Sequence, residues 1–294
     1  MLQYFLKTYA DTIKLLRIPF SYFLMPIFLF AVSQAQPINW TNAVICFFVL
    51  HLFIYPASNG YNSYMDQDEG SIGGLEKPPK ATKSLFFASV IFDVIGLLLA
   101  LAVGATFFFC VLLYMLASRA YSFKGIRLKK YAVIGFLTVI VFQGAFTFFM
   151  IFKAVSTDSF VYTSVLGFVL AACSFLIAGV YPLTQIYQHE ADAASGDFTI
   201  SYRLGIIGTF IFSSVMFAIA GGLLFFYFKD TGHTNHFFIF QAFLLPVIIY
   251  FVWWFLKTLK DKTQANFKNT MRMNFIASTC MNLCFLLLLF LNNK

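Results

Sequence analysis

The sequence predicts an all-α, polytopic membrane protein with about nine transmembrane helices. Of its 294 residues, 60% are hydrophobic and 11% are charged, and the mean hydropathy is +0.81. A soluble domain has about 25% charged residues, so this composition indicates a protein embedded in lipid. The apolar runs are long and unbroken, which favours helices over the short, alternating strands of a membrane barrel.

Nine segments are long enough to cross a bilayer, which takes about 20 apolar residues. The third and fourth are separated only by a short turn near Gly104, and the sixth is long enough to tilt or to extend beyond the hydrocarbon. No linker or low-complexity stretch divides the chain, so residues 1–294 are expected to form one membrane-embedded domain. The predicted segments are residues 15–36, 41–60, 84–103, 105–121, 131–153, 160–187, 204–228, 236–257 and 272–291.

The net charge of +8 is distributed as a membrane topology signal rather than as a nucleic-acid surface. If the N-terminus is cytoplasmic, only Lys153, Lys229 and Lys294 of the 20 basic residues lie on the outer side. Basic residues concentrate in cytoplasmic loops. We therefore expect a multi-pass protein of a bacterial inner membrane, with its N-terminus in the cytoplasm, its C-terminus outside and no nucleic-acid partner.

Two polar clusters each follow a long apolar run. The first extends from Asn62 to Gly70 and the second from Gln188 to Gly196, and the nine-segment topology places both on the cytoplasmic side. Acidic residues at the ends of membrane helices are costly and usually mark an ion or substrate site. Six of the 12 acidic residues fall in or beside these clusters: Asp66, Asp68, Glu69, Glu190, Asp192 and Asp197.

The spacing within the clusters suits a metal that holds a diphosphate. Asn62 and Asp66 are four residues apart, as are Gln188 and Asp192, so each pair shares one face of a helix. Magnesium is typically bound by one or two carboxylates together with phosphate oxygens and water. A third cytoplasmic loop, residues 121–130, supplies lysine and arginine side chains that would neutralise the remaining phosphate charge.

At this point the chain resembles the UbiA superfamily of intramembrane prenyltransferases, in particular the 4-hydroxybenzoate polyprenyltransferases. Its signatures are NDxxDxxxD and a DxxxD followed by xxxG and a threonine. The residues that carry the resemblance are Asn62 to Gly70, Gln188 to Thr199, Arg17-Ile-Pro19, Tyr121-Ser, Arg127-Leu-Lys129 and Arg203-Leu-Gly205.

Both motifs of this chain depart from the family pattern. Ser63 stands in place of the second-position aspartate, Gly70 in place of the last acid of the first motif, and Gln188 in place of the first aspartate of the second. Asp68 or Glu69 would then replace the missing acid of the first motif, with Glu190 near the second. The resemblance still spans helices 1 to 7 and includes the nine-helix count.

The resemblance implies a bundle around a central cavity, capped by the two motif loops. It implies Mg²⁺-dependent transfer of an isoprenyl group from a polyprenyl diphosphate to an aromatic or other lipophilic acceptor in the membrane. The catalytic residues would be Asp66 and Asp192, and Arg17 would bind the acceptor. Metal binding would fall to Asn62, Asp66, Asp68, Glu69, Gln188, Glu190 and Asp192, and diphosphate binding to Lys80, Lys124, Arg127 and Lys129.

Two other classes of function remain open from the sequence. A catalytically inactive relative that binds lipid or a partner is compatible with the departures at Ser63 and Gln188. A small-molecule transporter would also carry polar groups, but it usually places them at mid-membrane on broken helices. Here Asp93 alone lies within an apolar segment, while the two acidic clusters lie at one end of the bundle.

Overall fold

The part of the chain that the structure describes forms nine helical spans, as the sequence predicts. The structure, a computed structural model, describes residues 2–157 and 164–293; residues 160–163 of the sixth predicted segment lie outside that range. Within it, nine helices are long and apolar enough to span a membrane, so the chain is an integral multi-pass membrane protein. Spans 1 to 9 are Lys7–Gln34, Trp40–Asp66, Lys83–Leu101, Ala105–Ser122, Ala132–Val155, Ser164–Ala194, Ile200–Asp230, Thr234–Lys260 and Phe267–Asn292.

Among the described residues, 3₁₀ or π-helical segments interrupt spans 1, 2, 5 and 6, and span 7 is kinked at Gly205. In span 1 the α-helix Leu2–Leu16 ends at Arg17, whose φ of 49° lies in the left-handed region, and a 3₁₀ helix follows. Spans 2 and 5 each contain a π-helical stretch, and such stretches occur frequently at functional sites. Span 6 passes through a 3₁₀ turn into a short helix that carries the second polar cluster. The interruptions are Ile18–Leu24, Val49–Ile54, Val141–Phe146 and Ile186–Gln188.

The π-helix of span 5 is shaped by its contact with span 6. A Cβ on Gly144 would lie 2.6 Å from the Cα of Ser174, so only glycine permits this approach of the two backbones. The widened turn frees backbone groups that side chains then satisfy. Ser174 Oγ accepts from the amide of Ala145 at 3.2 Å, and Thr147 Oγ1 donates to the carbonyl of Phe142 at 2.6 Å.

Most of the aromatic core lies in the half of the bundle away from the polar clusters. Phe30 of span 1 is fully buried and stacks on Phe285 of span 9, with ring centroids 4.5 Å apart. Phe148 and Tyr227 pack edge-on against the same ring of Phe30. Aromatic pairs of this kind add about 0.5–1.5 kcal/mol beyond burial. This packing makes one half of the bundle solid and leaves space at the other end.

Polar contacts join spans 2, 3 and 4. On one face, Asn62 Nδ2 donates to Ser122 Oγ at 2.8 Å, and the hydroxyls of Ser58 and Ser118 are hydrogen-bonded one turn away. On another, Asp93 of span 3 forms a buried ion pair with Arg119 of span 4. The hydrogen bonds of Ser58 and Asn62 therefore fix the last two turns of span 2, where the first polar cluster begins, to span 4.

The Arg119 guanidinium also reaches span 2. It lies over the ring of Tyr61, 3.9 Å from the centroid, and it donates to the carbonyl of Ala57 at 3.4 Å. Asp93, the acid that the sequence places within an apolar segment, thus holds three spans together through Arg119.

Candidate active site

Three chain segments meet at one end of the bundle and join their charges. They are the end of span 2 at Asp66, the connection 123–131 between spans 4 and 5, and the connection 195–199 between spans 6 and 7. Lys129 Nζ lies 2.6 Å from Asp66 Oδ2 and 2.9 Å from Asp197 Oδ2. Arg127 donates from Nε and Nη2 to the two carboxylate oxygens of Asp197, each at 2.8 Å, and its Nη1 lies 3.5 Å from Asp66 Oδ1.

Burial and pairing oppose each other in setting the pKa values of this cluster. Burial favours the neutral form of Asp197, but the hydrogen bond from Arg127 and the charge of Lys129 outweigh it, and the pKa of Asp197 falls below its usual value. Burial likewise disfavours the ammonium of Lys129, yet the adjacent carboxylates of Asp66 and Asp197 raise its pKa. Asp197 and Lys129 are therefore charged at neutral pH and hold each other in place.

Arg17 fastens the break in span 1 to the first cluster. Its Nη1 donates to the carbonyl of Gly73 at 3.1 Å, and its Nη2 donates to the carbonyl of Asn59 at 3.1 Å and to Ser63 Oγ at 3.4 Å. A Cβ at Gly73 would lie 2.6 Å from the Phe20 ring, so glycine lets the loop after span 2 lie against span 1. The guanidinium thus joins span 1, span 2 and this loop beside the cavity.

A cavity of about 250 Å³ lies directly beneath this charged cluster. Its upper wall carries carboxylates and amides from both polar clusters, and its deeper wall carries aromatic and hydroxyl side chains from spans 2, 4, 5 and 6. Gln188 Nε2 donates to the carbonyl of Ser71 at 2.9 Å, which links the two cluster loops. The sequence-predicted residues on the wall are Arg17, Asn62, Asp66, Asp68, Lys129, Gln188 and Asp192.

The remaining predicted residues lie elsewhere. Arg127 is not on the cavity wall but contacts it through Asp66 and Asp197. The other four are exposed and lie outside the lining of this cavity in the described chain: Lys80, Glu69, Lys124 and Glu190. Their assignment to metal or diphosphate binding stays a prediction.

Several wall residues were missed by sequence reasoning. Asp197 was counted among the clustered acids but was given no role, although it pairs with both Arg127 and Lys129. Its place one residue after the second motif was the only sequence signal. Gln185 and Tyr181 also line the cavity, and no motif pointed to them.

The oxygen donors on the wall fit magnesium bound together with a diphosphate. Asp192 Oδ2 is buried and lacks a hydrogen-bond partner within residues 2–157 and 164–293, as expected for an atom that binds a ligand. Asp66 Oδ1 is also buried without a hydrogen bond, and Arg127 Nη1 lies 3.5 Å from it. Burial and the charge of Asp66 raise the pKa of Asp68 to about 6, which a bound dication would reverse. In the described chain no three histidine, cysteine or acidic side chains form a ready metal cage, and magnesium commonly relies on substrate phosphates instead.

A second, larger cavity of about 1040 Å³ adjoins the first between spans 1 and 9. Its wall is mainly apolar and shares Arg17, Phe20 and Met271 with the polar cavity. Phe23 and Phe275 continue the apolar wall along the two spans. A hydrophobic molecule therefore meets a continuous surface that leads from this groove to the charged cluster.

The fold and site together define an intramembrane helical bundle with a polar cavity capped by carboxylates and cations. The family model of the UbiA prenyltransferase family matches residues 23–278, and the chain belongs to that family. This confirms the resemblance seen in the sequence motifs. No curated protein sequence matches the chain significantly.

Solved structures of similar fold cover nearly the whole chain. A UbiA homolog from Archaeoglobus fulgidus bound to GPP and Mg²⁺ is 18% identical, with a TM-score of 0.69 over 95% of this chain and 99% of that one. The same homolog bound to DMAPP and Mg²⁺ gives 16% identity and a TM-score of 0.66 over the same shares. A digeranylgeranylglyceryl phosphate synthase is 18% identical, with a TM-score of 0.61 over 97% of each chain. At these identities the likeness establishes the fold.

Proposed function

We propose that this protein transfers an isoprenyl group from a polyprenyl diphosphate to a lipophilic acceptor within the membrane, with Mg²⁺ as cofactor. The observation that carries the proposal is the convergence of Asp66, Asp68 and Asp192 with Lys129 on one cavity. Membership of the UbiA prenyltransferase family supports the reaction class. The Mg²⁺ and GPP bound to the structurally similar Archaeoglobus homolog support the choice of metal and substrate.

The metal would be held by side chains from both polar clusters. Asp66 and Asp192 face the cavity from spans 2 and 6, and we assign the catalytic role to these two. When bound, Mg²⁺ would neutralise the charge that develops on the departing diphosphate. The supporting ligands on the wall would be Asn62, Asp68 and Gln188, with Glu69 and Glu190 further out.

The cations of the 123–131 connection would hold the diphosphate. Lys129 Nζ lies on the wall beside Asp66, and Arg127 presents a guanidinium fixed by Asp197. An arginine held in this way binds phosphate oxygens with little loss of side-chain freedom. Lys80 and Lys124 are exposed and do not line the cavity, so they would act on the approach of the anion rather than on its bound state.

The aromatic side chains below the charged cluster would surround the allylic carbon. Tyr114, Tyr121 and Phe142 line the cavity, and the faces of such rings stabilise a nearby positive charge. Arg17 stands where the polar cavity meets the apolar groove, and we assign it to the acceptor. Its Nε is a buried donor without a hydrogen-bond partner among the described residues, so the guanidinium retains one free N–H.

The cytoplasmic side is assigned from the distribution of basic residues. The charged cluster includes Arg127 and Lys129, and it lies at the end that the sequence predicts to face the cytoplasm. We infer an inner membrane location with the N-terminus inside and the C-terminus outside. Fusion of a periplasmically active reporter to each terminus tests this: only the C-terminal fusion should be active.

Product formation by the purified protein tests the function. The assay supplies labelled farnesyl or geranylgeranyl diphosphate, a panel of acceptors and Mg²⁺, with EDTA, Asp66→Ala and Asp192→Ala as negative controls. Asp230→Ala, at the exposed far end of span 7, is the matched carboxylate control and should retain activity. A prenylated product that is lost in all three negative controls supports the proposal.

Two results would contradict the proposal and separate the alternatives. Mg²⁺-dependent binding of the diphosphate without product from any acceptor would favour a non-catalytic relative. No Mg²⁺-dependent diphosphate binding at all would favour a transporter. Transport activity would then be measured as uptake into proteoliposomes.

A further inference from the structure

The deeper wall of the polar cavity holds two amide groups that the metal and diphosphate do not need. Gln185 of span 6 is only 6% exposed, and its Oε1 is buried without a hydrogen bond from any residue that the structure describes. Asn59 of span 2 lines the same cavity, and its Nδ2 is a buried donor that also lacks a partner within the described ranges. Buried polar atoms are nearly always paired, so these two atoms indicate a ligand.

The Gln185 amide is hydrogen-bonded to a pair of tyrosines. Its Nε2 donates to the hydroxyl of Tyr181 at 2.9 Å, and the Tyr181 hydroxyl is in turn hydrogen-bonded to that of Tyr121 on span 4. In this arrangement Nε2 is engaged, and Oε1 is the acceptor that stays available to a ligand. The hydrogen bond to Tyr181 restrains the side chain, which reduces the entropy cost of binding.

Each amide precedes an aspartate of a polar cluster by seven residues: Asn59 precedes Asp66, and Gln185 precedes Asp192. Seven residues of α-helix correspond to about 10 Å along the axis, which places Asn59 of the continuous helix Tyr55–Asp66 well away from its carboxylate. Gln185 lies just before the 3₁₀ turn Ile186–Gln188 and lines the same cavity. The two amides therefore belong to one cavity wall.

The pair requires a ligand group that both donates and accepts a hydrogen bond. Asn59 Nδ2 can only donate, and Gln185 Oε1 can only accept. A carbonyl or ether oxygen would leave Gln185 Oε1 unpaired, an ammonium would leave Asn59 Nδ2 unpaired, and a carboxylate would be repelled by Oε1. A hydroxyl satisfies both, because it donates one hydrogen bond and accepts another.

We propose that Gln185 and Asn59 form a subsite that recognises the hydroxyl group of a phenol or alcohol. The subsite rests on the proposed function, in which this molecule is the prenyl acceptor. The hydroxyl donates to Gln185 Oε1 and accepts from Asn59 Nδ2, while its apolar body lies against the aromatic wall. A site that pairs a hydroxyl in this way disfavours an analogue that lacks it, since both amides then stay unsatisfied.

Equilibrium dialysis with two probes that differ by one hydroxyl tests the subsite. The probes are 2-naphthol and naphthalene, each labelled and dialysed against purified protein with geranyl diphosphate and Mg²⁺, and corrected for protein-free micelles. Wild-type protein should bind 2-naphthol about tenfold or more tightly than naphthalene, the ratio expected when two buried polar groups gain or lose a partner. Gln185→Met and Asn59→Leu should each bring the ratio to within about threefold of unity.

Two controls keep the result interpretable. Gln34→Met makes the same substitution outside the cavity, at the end of span 1 that lies away from the polar clusters. Gln34 Oε1 accepts there from Tyr227, and this variant should retain the wild-type ratio of the two affinities. Retention of labelled geranyl diphosphate with Mg²⁺ is measured on every variant, and it should persist in both subsite variants.

The outcomes separate the subsite from the proposed function. Equal retention of the two naphthyl probes by wild-type protein, including no retention of either, would overturn the subsite even if geranyl diphosphate binds. An unchanged preference for 2-naphthol in both subsite variants would also overturn it. Loss of Mg²⁺-dependent geranyl diphosphate binding in the wild type would instead remove the proposed function.

Discussion

The ion pair between Asp93 and Arg119 provides a direct test of how this bundle holds its first polar cluster. The side chains of Asp93 and Arg119 are 10% and 18% exposed, so neither is well solvated. Removing one partner of a buried pair costs about 3–5 kcal/mol, because the other charge stays buried. Arg119 keeps the Tyr61 ring and the Ala57 carbonyl, so we expect Asp93→Leu to cost about 3 kcal/mol, at the lower end.

The stability of the double variant distinguishes loss of the ion pair from the cost of an unpaired buried charge. Replacing both partners removes the unpaired charge as well as the attraction, so Asp93→Leu with Arg119→Met should lie within about 1 kcal/mol of the wild type. Stability is measured by SDS-induced unfolding in mixed micelles, followed by tryptophan fluorescence, for the two single variants and the double variant. Asp230→Leu, at an exposed position, is the control and should change stability by less than about 0.5 kcal/mol.

The reasoning fails if the two substitutions add. A double variant that loses the sum of the single losses would show that each side chain acts through packing alone. Because each single substitution should cost about 3 kcal/mol and the double variant about 1 kcal/mol at most, the expected coupling free energy is about 5 kcal/mol.

Three further predictions concern the site and the helix that follows it. Arg127→Lys removes the bidentate contact with Asp197 and should weaken Mg²⁺-dependent geranyl diphosphate binding by about tenfold in equilibrium dialysis. An unchanged affinity would show that this contact does not contribute to substrate binding. Gly205 has a φ of 67°, so Gly205→Ala should lower the free energy of unfolding by about 1–2 kcal/mol. Gly221→Ala in the same span is the control and should be neutral or stabilising by up to about 1 kcal/mol. Equal effects of the two substitutions on the free energy of unfolding would contradict the backbone argument. Chelation by EDTA should abolish geranyl diphosphate retention and added Mg²⁺ should restore it, and retention that survives chelation would exclude a metal-bridged anion.

The spans were predictable because lipid leaves the backbone few choices. An apolar run without water to satisfy its amides forms a helix, and all nine runs do so. The π-helix around Gly144 was not predictable, because it depends on the backbone of Ser174 in another span. Segment ends also shifted: span 6 continues to Ala194 and span 7 begins at Ile200, because the second cluster extends the helix instead of ending it.

The site was predictable where its residues repeat with the helical period. Asn62, Asp66, Gln188 and Asp192 were identified by four-residue spacing, and all four line one cavity. Asp197 was not assigned, because its partner Arg127 is 70 residues away and only the folded chain brings them together. Gln185 lies where the helix gives way to a 3₁₀ turn, so no periodic pattern marks it.

The paired charges above the cavity have a consequence for the order in which ligands arrive. Arg17, Arg127 and Lys129 oppose the four carboxylates that contact or line this region, Asp66, Asp68, Asp192 and Asp197, and the formal balance is one negative charge. A bare diphosphate thus approaches a mouth whose cations are already engaged, and Coulomb repulsion from the carboxylates opposes its entry. An anion that arrives with its dications carries the charge these carboxylates attract. If the proposed function holds, this entrance should favour the diphosphate already complexed with Mg²⁺ over the free anion.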